Sequence, residues 1–148
     1  MVTLRPARQS DIPSLVALLR QLFEIETQFA FDPERHRAGI VLILSRPEMG
    51  RIIVAELDGR VIGMVNLQFT VSTAHGTLSV HIDDLVVDAA ARGQGAGAAL
   101  MEAAQVTAKE LGAGRITVNV DPSNASALDF YRRFGFSSLN LTRHAKAL

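Results

Sequence analysis

The stretch "LVVDAAARGQGAGAAL", Leu85 to Leu100, decides the fold, because its two ends belong to different elements and its middle is rich in glycine. The run that leads into it, "TLSVHIDDLVV" (77–87), is dense in β-branched and apolar residues and reads as a strand. The run that leaves it, "GAGAALMEAAQVTAKELGAG" (95–114), is alanine-rich and closed by Gly112 and Gly114, so it reads as a long helix. A strand that turns through glycines into a helix collects backbone N–H groups and the positive end of the helix dipole at one place, which suits a phosphate. A Walker-type loop is excluded, because its Lys and Ser/Thr are replaced by Ala98 and Ala99. Gly93, Gly95 and Ala98 satisfy the dinucleotide fingerprint, and Asp121 stands where a ribose-binding acid belongs. That fold, however, needs several further parallel units, and too little chain follows Asp121.

Upstream, "RIIVAEL" (51–57) and "RVIGMVNLQFT" (60–70) are strand-like runs joined by Asp58-Gly59, a two-residue hairpin signal. With "STAHG" as the next turn, they form an antiparallel meander with the strand that enters the glycine loop. Before them, Ile12, Leu15, Val16, Leu19, Leu22 and Phe23 recur at helical spacing behind a Ser10 or Asp11 cap. A second helix starts at Asp32-Pro33 and ends no later than Pro47. "VTLRPA" is a short opening strand. Downstream, "RITVNV" (115–120) reads as a strand, "NASALDFYRRFG" (124–135) as a helix, and "FSSLNLTRHAKAL" (136–148) as a last strand with a tail. The expected fold is α/β (α+β): a mixed, mostly antiparallel central sheet flanked by helices, built as one domain over residues 1–148.

Composition narrows the function classes. Fifteen basic residues balance fifteen acidic ones without a basic stripe, so nucleic acid is not an expected partner. Cysteine is absent, which removes thiolate metal sites, disulfides and a cysteine nucleophile. The four histidines are scattered, none at i, i+4 on a helix, so no metal is expected. No signal peptide or membrane-length apolar run is visible, and a cytoplasmic protein is expected. Apolar residues make up 48% of the chain, and a homodimer is a possible assembly.

The glycine segment resembles the Q/R-x-x-G-x-G/A signature of the GNAT acyl-coenzyme A transferases, with Arg92, Gly95 and Gly97 at its defined positions. "NASALDFYRRFGF" (124–136) resembles that family's second motif, an Asn followed at helical distance by a Tyr and then Gly-Phe. The order of elements follows the family over nearly the whole chain. The resemblance implies acetyl-coenzyme A as co-substrate, its pyrophosphate on the loop Arg92, Gly93, Gln94, Gly95, Ala96, Gly97 and Ala98. It implies that the strand ending "DLVV" splays from "RITVNV", and that the pantetheine arm pairs with backbone at Leu85, Val86 and Val87. Asn124 is implied as a coenzyme contact, and is equally a cap for its own helix.

Transfer to an amine needs a base and an acid. Tyr131, the only tyrosine, is implied as the acid for the departing thiolate and as a coenzyme contact. Asp83 occupies the position where many family members carry a Glu that acts on the amine, directly or through water. Without a bulge, Asp83 and Asp84 point to opposite faces of their strand, so only one should reach the substrate. His81 shares the parity of Asp83 and competes as base, while Asp84 is equally an acceptor of backbone N–H groups. Glu24, Glu26 and Phe31 lie between the first two helices, on the side the family uses for the acceptor. The expected acceptor is an amine of a small molecule or peptide. A coenzyme-binding sensor without catalysis shares the loop but has no need of Tyr131 or Asp83.

Overall fold

The computed structural model describes residues 1–27 and 29–148. Strand β1 (Thr3–Pro6) is followed by helices α1 (Ile12–Ile25) and α2 (Pro33–Ser45), then by strands β2 (Gly50–Leu57), β3 (Arg60–Ser72) and β4 (Thr77–Val87). Helix α3 (Ala96–Glu110), strand β5 (Arg115–Val118) and helix α4 (Ala125–Arg133) complete the order. The five strands lie in sequence order, antiparallel throughout except for the parallel pair β4 and β5.

Local signals explain most boundaries. Asp32 caps α2 through its carboxylate, which accepts from the Arg35 N–H at 3.2 Å, and Pro33 opens the helix. Asp58 and Gly59 both take positive φ, 50° and 75°, the geometry of a tight hairpin whose twist matches its strands. A turn of 3-10 helix, Gln9–Asp11, precedes α1. There Asp11, 6% exposed, accepts from the Arg8 N–H at 2.7 Å and from both terminal nitrogens of Arg5. Arg5 in turn reaches Glu56 of β2, which ties the start of α1 to the sheet.

The sheet separates two cores. Alternation in β2 sends Ile52 and Val54 to one face and Ile53 and Ala55 to the other. On the first face lie Leu15, Leu18, Leu19 and Leu22 of α1 and Ile40 of α2; on the second lie Leu100, Met101, Ala104 and Ala108 of α3. Each fully buried leucine contributes about 1.5–3 kcal/mol relative to exposure, so the α1 stripe anchors that helix firmly. Phe130, Tyr131 and Phe134 of α4 pack at the margin of the α3 core.

Two expectations change. Residues 136–148 form no strand, although one was expected there. Asn140 takes a φ of 55°, the Ser138 hydroxyl accepts from its N–H, and Leu139 and Leu141 stay 62% and 84% exposed. Local side-chain bonding competes with a ladder, and no apolar burial offsets the cost of ordering one. The strand expected over 115–120 stops at Val118, where β4 and β5 part.

Candidate functional site

Beyond Ile82 and Val118, β4 runs on for five residues without β5 beside it. The gap begins where β4 carries an irregularity. Asn66 of β3 faces Asp84, Leu67 faces Ile82, and Asp83 is the extra residue of a β-bulge. The bulge reverses parity: Val80 and Ile82 enter the α3 core, whereas Val86 enters the α1–α2 core and Leu85 and Val87 pack against the α3 side. Asp83, with His81, and Asp84, with Val86, therefore share the α1–α2 face, so the opposite facing expected of an unbulged strand does not hold.

Burial separates the two acids. Asp83 is exposed, whereas Asp84 is largely buried and accepts from Nδ2 of Asn66 at 2.8 Å. Burial, reinforced by the charges of Asp83 and Glu26, pushes Asp84 up from 3.8 to about 7, although the Asn66 hydrogen bond pulls the other way. Glu26, at the C-cap of α1, is raised by burial and by Asp83 and Asp121. Tyr131 is raised to about 12 by burial, then by Glu26 and Asp84, and its ring packs against Phe130 and Phe136 at 5.2 and 5.5 Å. The charge of Asp83 thus acts on Glu26 and Asp84, and those of Glu26 and Asp84 act on Tyr131, across three elements.

His81 bonds through Nδ1 to the Thr117 hydroxyl of β5 at 2.8 Å. Burial lowers its pKa; Asp83 opposes this and Arg143 adds to it. It is a neutral tie between the strands on the near side of the gap. Glu24 is exposed on α1. Phe31 belongs to an aromatic group beside α2, its ring tilted 49° against His36 at 5.1 Å, with the Arg20 guanidinium over it at 4.2 Å. Of Glu24 and Glu26, Glu26 is the one whose charge acts on Asp84, and spacing carries the signal: Leu15, Leu19, Leu22 and Glu26 continue one helical face. Asn66 escaped the sequence reading; its only trace there is an amide in the apolar run "GMVNLQF".

At the other end of the gap, a turn of 3-10 helix (Ala89–Ala91) leads into the glycine loop. Gly93 and Gly95 have φ of 79° and 82°, and nothing lies within 4 Å of the place a Cβ would take. Arg92 and Gln94 are exposed, with Arg92 Nε 3.5 Å from the Val87 carbonyl. The α3 ladder starts with the Ala99 N–H on the Gly95 carbonyl, so the N–H groups of Ala96, Gly97 and Ala98 precede it at the positive end of the dipole. Gly97 lies against Phe130 and Val87. Backbone donors free of side chains fit an oxygen-rich anion such as a pyrophosphate. Asn124 caps α4, its Oδ1 accepting from the Ala127 N–H at 3.0 Å. Asp121 is engaged by Ser123, and among the described residues one parallel pair, with no doubly wound sheet, offers no dinucleotide site of that kind. Among the described residues, no three metal-ligating side chains gather and no helix is long and apolar enough to cross a membrane.

Comparison with known proteins agrees with this geometry. The profile of the acetyltransferase (GNAT) family matches residues 15–136. An aminoalkylphosphonate N-acetyltransferase of Salmonella typhimurium is 30% identical over 98% of this chain and 90% of its own. A glucosamine 6-phosphate N-acetyltransferase of Trypanosoma brucei brucei is 33% identical over 90% of this chain and 87% of its own. An aminoglycoside N-acetyltransferase solved in complex with coenzyme A shares the fold, with a TM-score of 0.84 at 17% identity over 99% of this chain and 95% of that one. The profile spans most of the chain and the curated relatives align nearly end to end: the chain is an acetyltransferase and belongs to the GNAT family.

Proposed function

We propose that this protein transfers an acetyl group from acetyl-coenzyme A directly to a primary amine of a small molecule or peptide, both bound at once in the gap between β4 and β5. The observation that carries the reading is the gap itself. Pairing with β5 ends at Ile82, beside the Asp83 bulge, and the β4 edge runs on unpaired by β5 to Val87, toward the glycine loop. The loop Arg92–Ala98 holds the pyrophosphate on backbone N–H groups. The β4 edge at Leu85, Val86 and Val87, which β5 does not cover, pairs with the pantetheine arm. N–H groups on that edge also face the charge that develops on the thioester oxygen. Asn124 contributes by fixing the start of α4, and so the placement of Tyr131.

We assign the base to Asp84 in place of the expected Asp83. An alkylammonium has a pKa of ~10.4, so handing its proton to a carboxylate at the ordinary 3.8 is uphill by about 9 kcal/mol; to one at about 7 it is about 5. Asp83 and Glu26 then serve the acceptor as counter-charges. Tyr131 at about 12 stays protonated, yet it is a weak acid toward a thiolate of pKa ~8.5. Two of the causes that raise it are the charges of Glu26 and Asp84. The proton that Asp84 takes from the amine removes one of these, so the base step prepares the acid. With no cysteine in the chain, an acyl-cysteine route is closed. Exposed Val71, Leu139 and Leu141 support a homodimer, which light scattering tests.

Isothermal titration with acetyl-coenzyme A and with NAD, followed by thiol release across a panel of amines, tests the reading. Saturable acetyl-coenzyme A binding, silence with NAD and amine-dependent release are expected. NAD binding alone, or coenzyme binding without release on any amine, overturns it.

A further inference from the structure

Asn66 is a polar residue where the fold has no need of one. It sits in β3 between the buried Val65 and Leu67, is itself 5% exposed, and faces Asp84 across the bulge. Its Nδ2 donates to Asp84 Oδ2 at 2.8 Å, while its Oδ1 is buried without a hydrogen-bond partner among the described residues. An orphaned buried amide oxygen is a standing cost that an apolar side chain of similar size avoids. Turning the amide over does not serve the carboxylate form, because Oδ1 would then face a carboxylate oxygen and Nδ2 would take the orphaned place. The cost is therefore tied to keeping a donor on Asp84.

We infer that Asn66 is a positioning residue for the base: by occupying Oδ2 of Asp84 it leaves Oδ1 as the oxygen that takes the acceptor's proton, and it holds the carboxylate form available. The inference rests on Asp84 being the base. The other titratable groups around Asp84 are Asp83 and His81 on its own strand, Glu26 at the end of α1 and Tyr131 on α4. Asp83 and Glu26 favour the protonated acid, so within this set Asn66 alone favours the carboxylate.

The test compares wild type with Asn66→Leu, following the Asp84 carboxyl carbon by NMR against pH and, in parallel, the acidic limb of kcat/KM. Loss of a hydrogen bond to a charged acceptor is expected to move the Asp84 midpoint up by about one pH unit. The kinetic limb should move with it, and the acetyl-coenzyme A dissociation constant should change less than about threefold, well under 1.4 kcal/mol. A purely structural Asn lowers stability or turnover and leaves both midpoints in place, which overturns the inference alone. A carboxyl midpoint that moves while the kinetic limb stays shows that Asp84 is not the base, and overturns that assignment and the catalytic role of Asn66 together. Should the Asn66→Leu chain not fold, wild type still decides. The Asn66 side-chain amide signals must shift with the same midpoint as the Asp84 carbon, and signals that stay flat through it refute the pairing.

Discussion

Replacing Asp84 by Asn should make the protein more stable and nearly inactive, and the stability gain should depend on pH. The folded protein holds the Asp84 proton up to about pH 7, whereas an unfolded chain releases it near 3.8. Between those values the native state binds more protons, so stability falls as pH rises through the window. The full difference amounts to about 4 kcal/mol above pH 8, and about 2 kcal/mol at pH 5, where the window is only partly crossed. Asn keeps the shape and an oxygen acceptor for Asn66 Nδ2 but carries no charge, so it escapes the cost at every pH. For a chain of this size, 4 kcal/mol corresponds to a rise in Tm of about 10 °C. Calorimetry of wild type and variant at pH 5 and pH 8.5 reads the gain, and thiol release with an amine acceptor reads the expected ~100-fold or larger loss of kcat. The free energy lost from the fold is the same one that raises the proton affinity of Asp84. Equal gains at the two pH values, or a variant less stable than wild type at pH 8.5, refute the reasoning.

Gly95→Asp places a side chain on a backbone at φ 82° and a negative charge beside the unpaired N–H groups of α3. Titration calorimetry should find acetyl-coenzyme A binding abolished at a stability cost of about 1 kcal/mol, and retained binding would remove the pyrophosphate from this loop. Tyr131→Phe deletes only a hydroxyl, so kcat should fall by about 100-fold while the dissociation constant for acetyl-coenzyme A changes less than about threefold. A comparable loss in both would make Tyr131 a binding residue instead. Asp11→Asn removes the more buried of the two carboxylates that pair with Arg5, leaving Glu56 as the other; the Arg5 side chain is 21% exposed against 8% for Asp11. Denaturant unfolding should show a loss of about 2 kcal/mol at neutral pH with unchanged KM values. The Arg5 guanidinium holds Asp11 below the ordinary carboxylate range, so wild type should lose this margin as pH falls through that range, and the variant should not.

Much of this protein is set by local sequence. Asp32-Pro33, Asp58-Gly59 and the glycines at 93 and 95 each dictate a backbone geometry over two to four residues, and each appears in the structure as written. The leucine stripe of α1 likewise states which face it buries. These signals are legible because capping, positive φ and periodicity depend only on near neighbours. The last strand over 136–148 was not legible, because a strand exists only if a partner edge accepts it, and the sequence shows the pattern without the partner.

The same limit governs the site. The glycine loop, Tyr131 and the adjacent acids Asp83 and Asp84 can be picked out from the chain's residues alone. Which acid is buried follows from strand pairing, because the bulge depends on the register of β3 against β4, and one extra residue reverses the face of all that follow. It also brought in Asn66 and Glu26, from 18 and 58 residues before Asp84, as a hydrogen bond and a charge. A carboxyl group's proton affinity is set by what surrounds it in space, and in this chain those surroundings come from three separate segments.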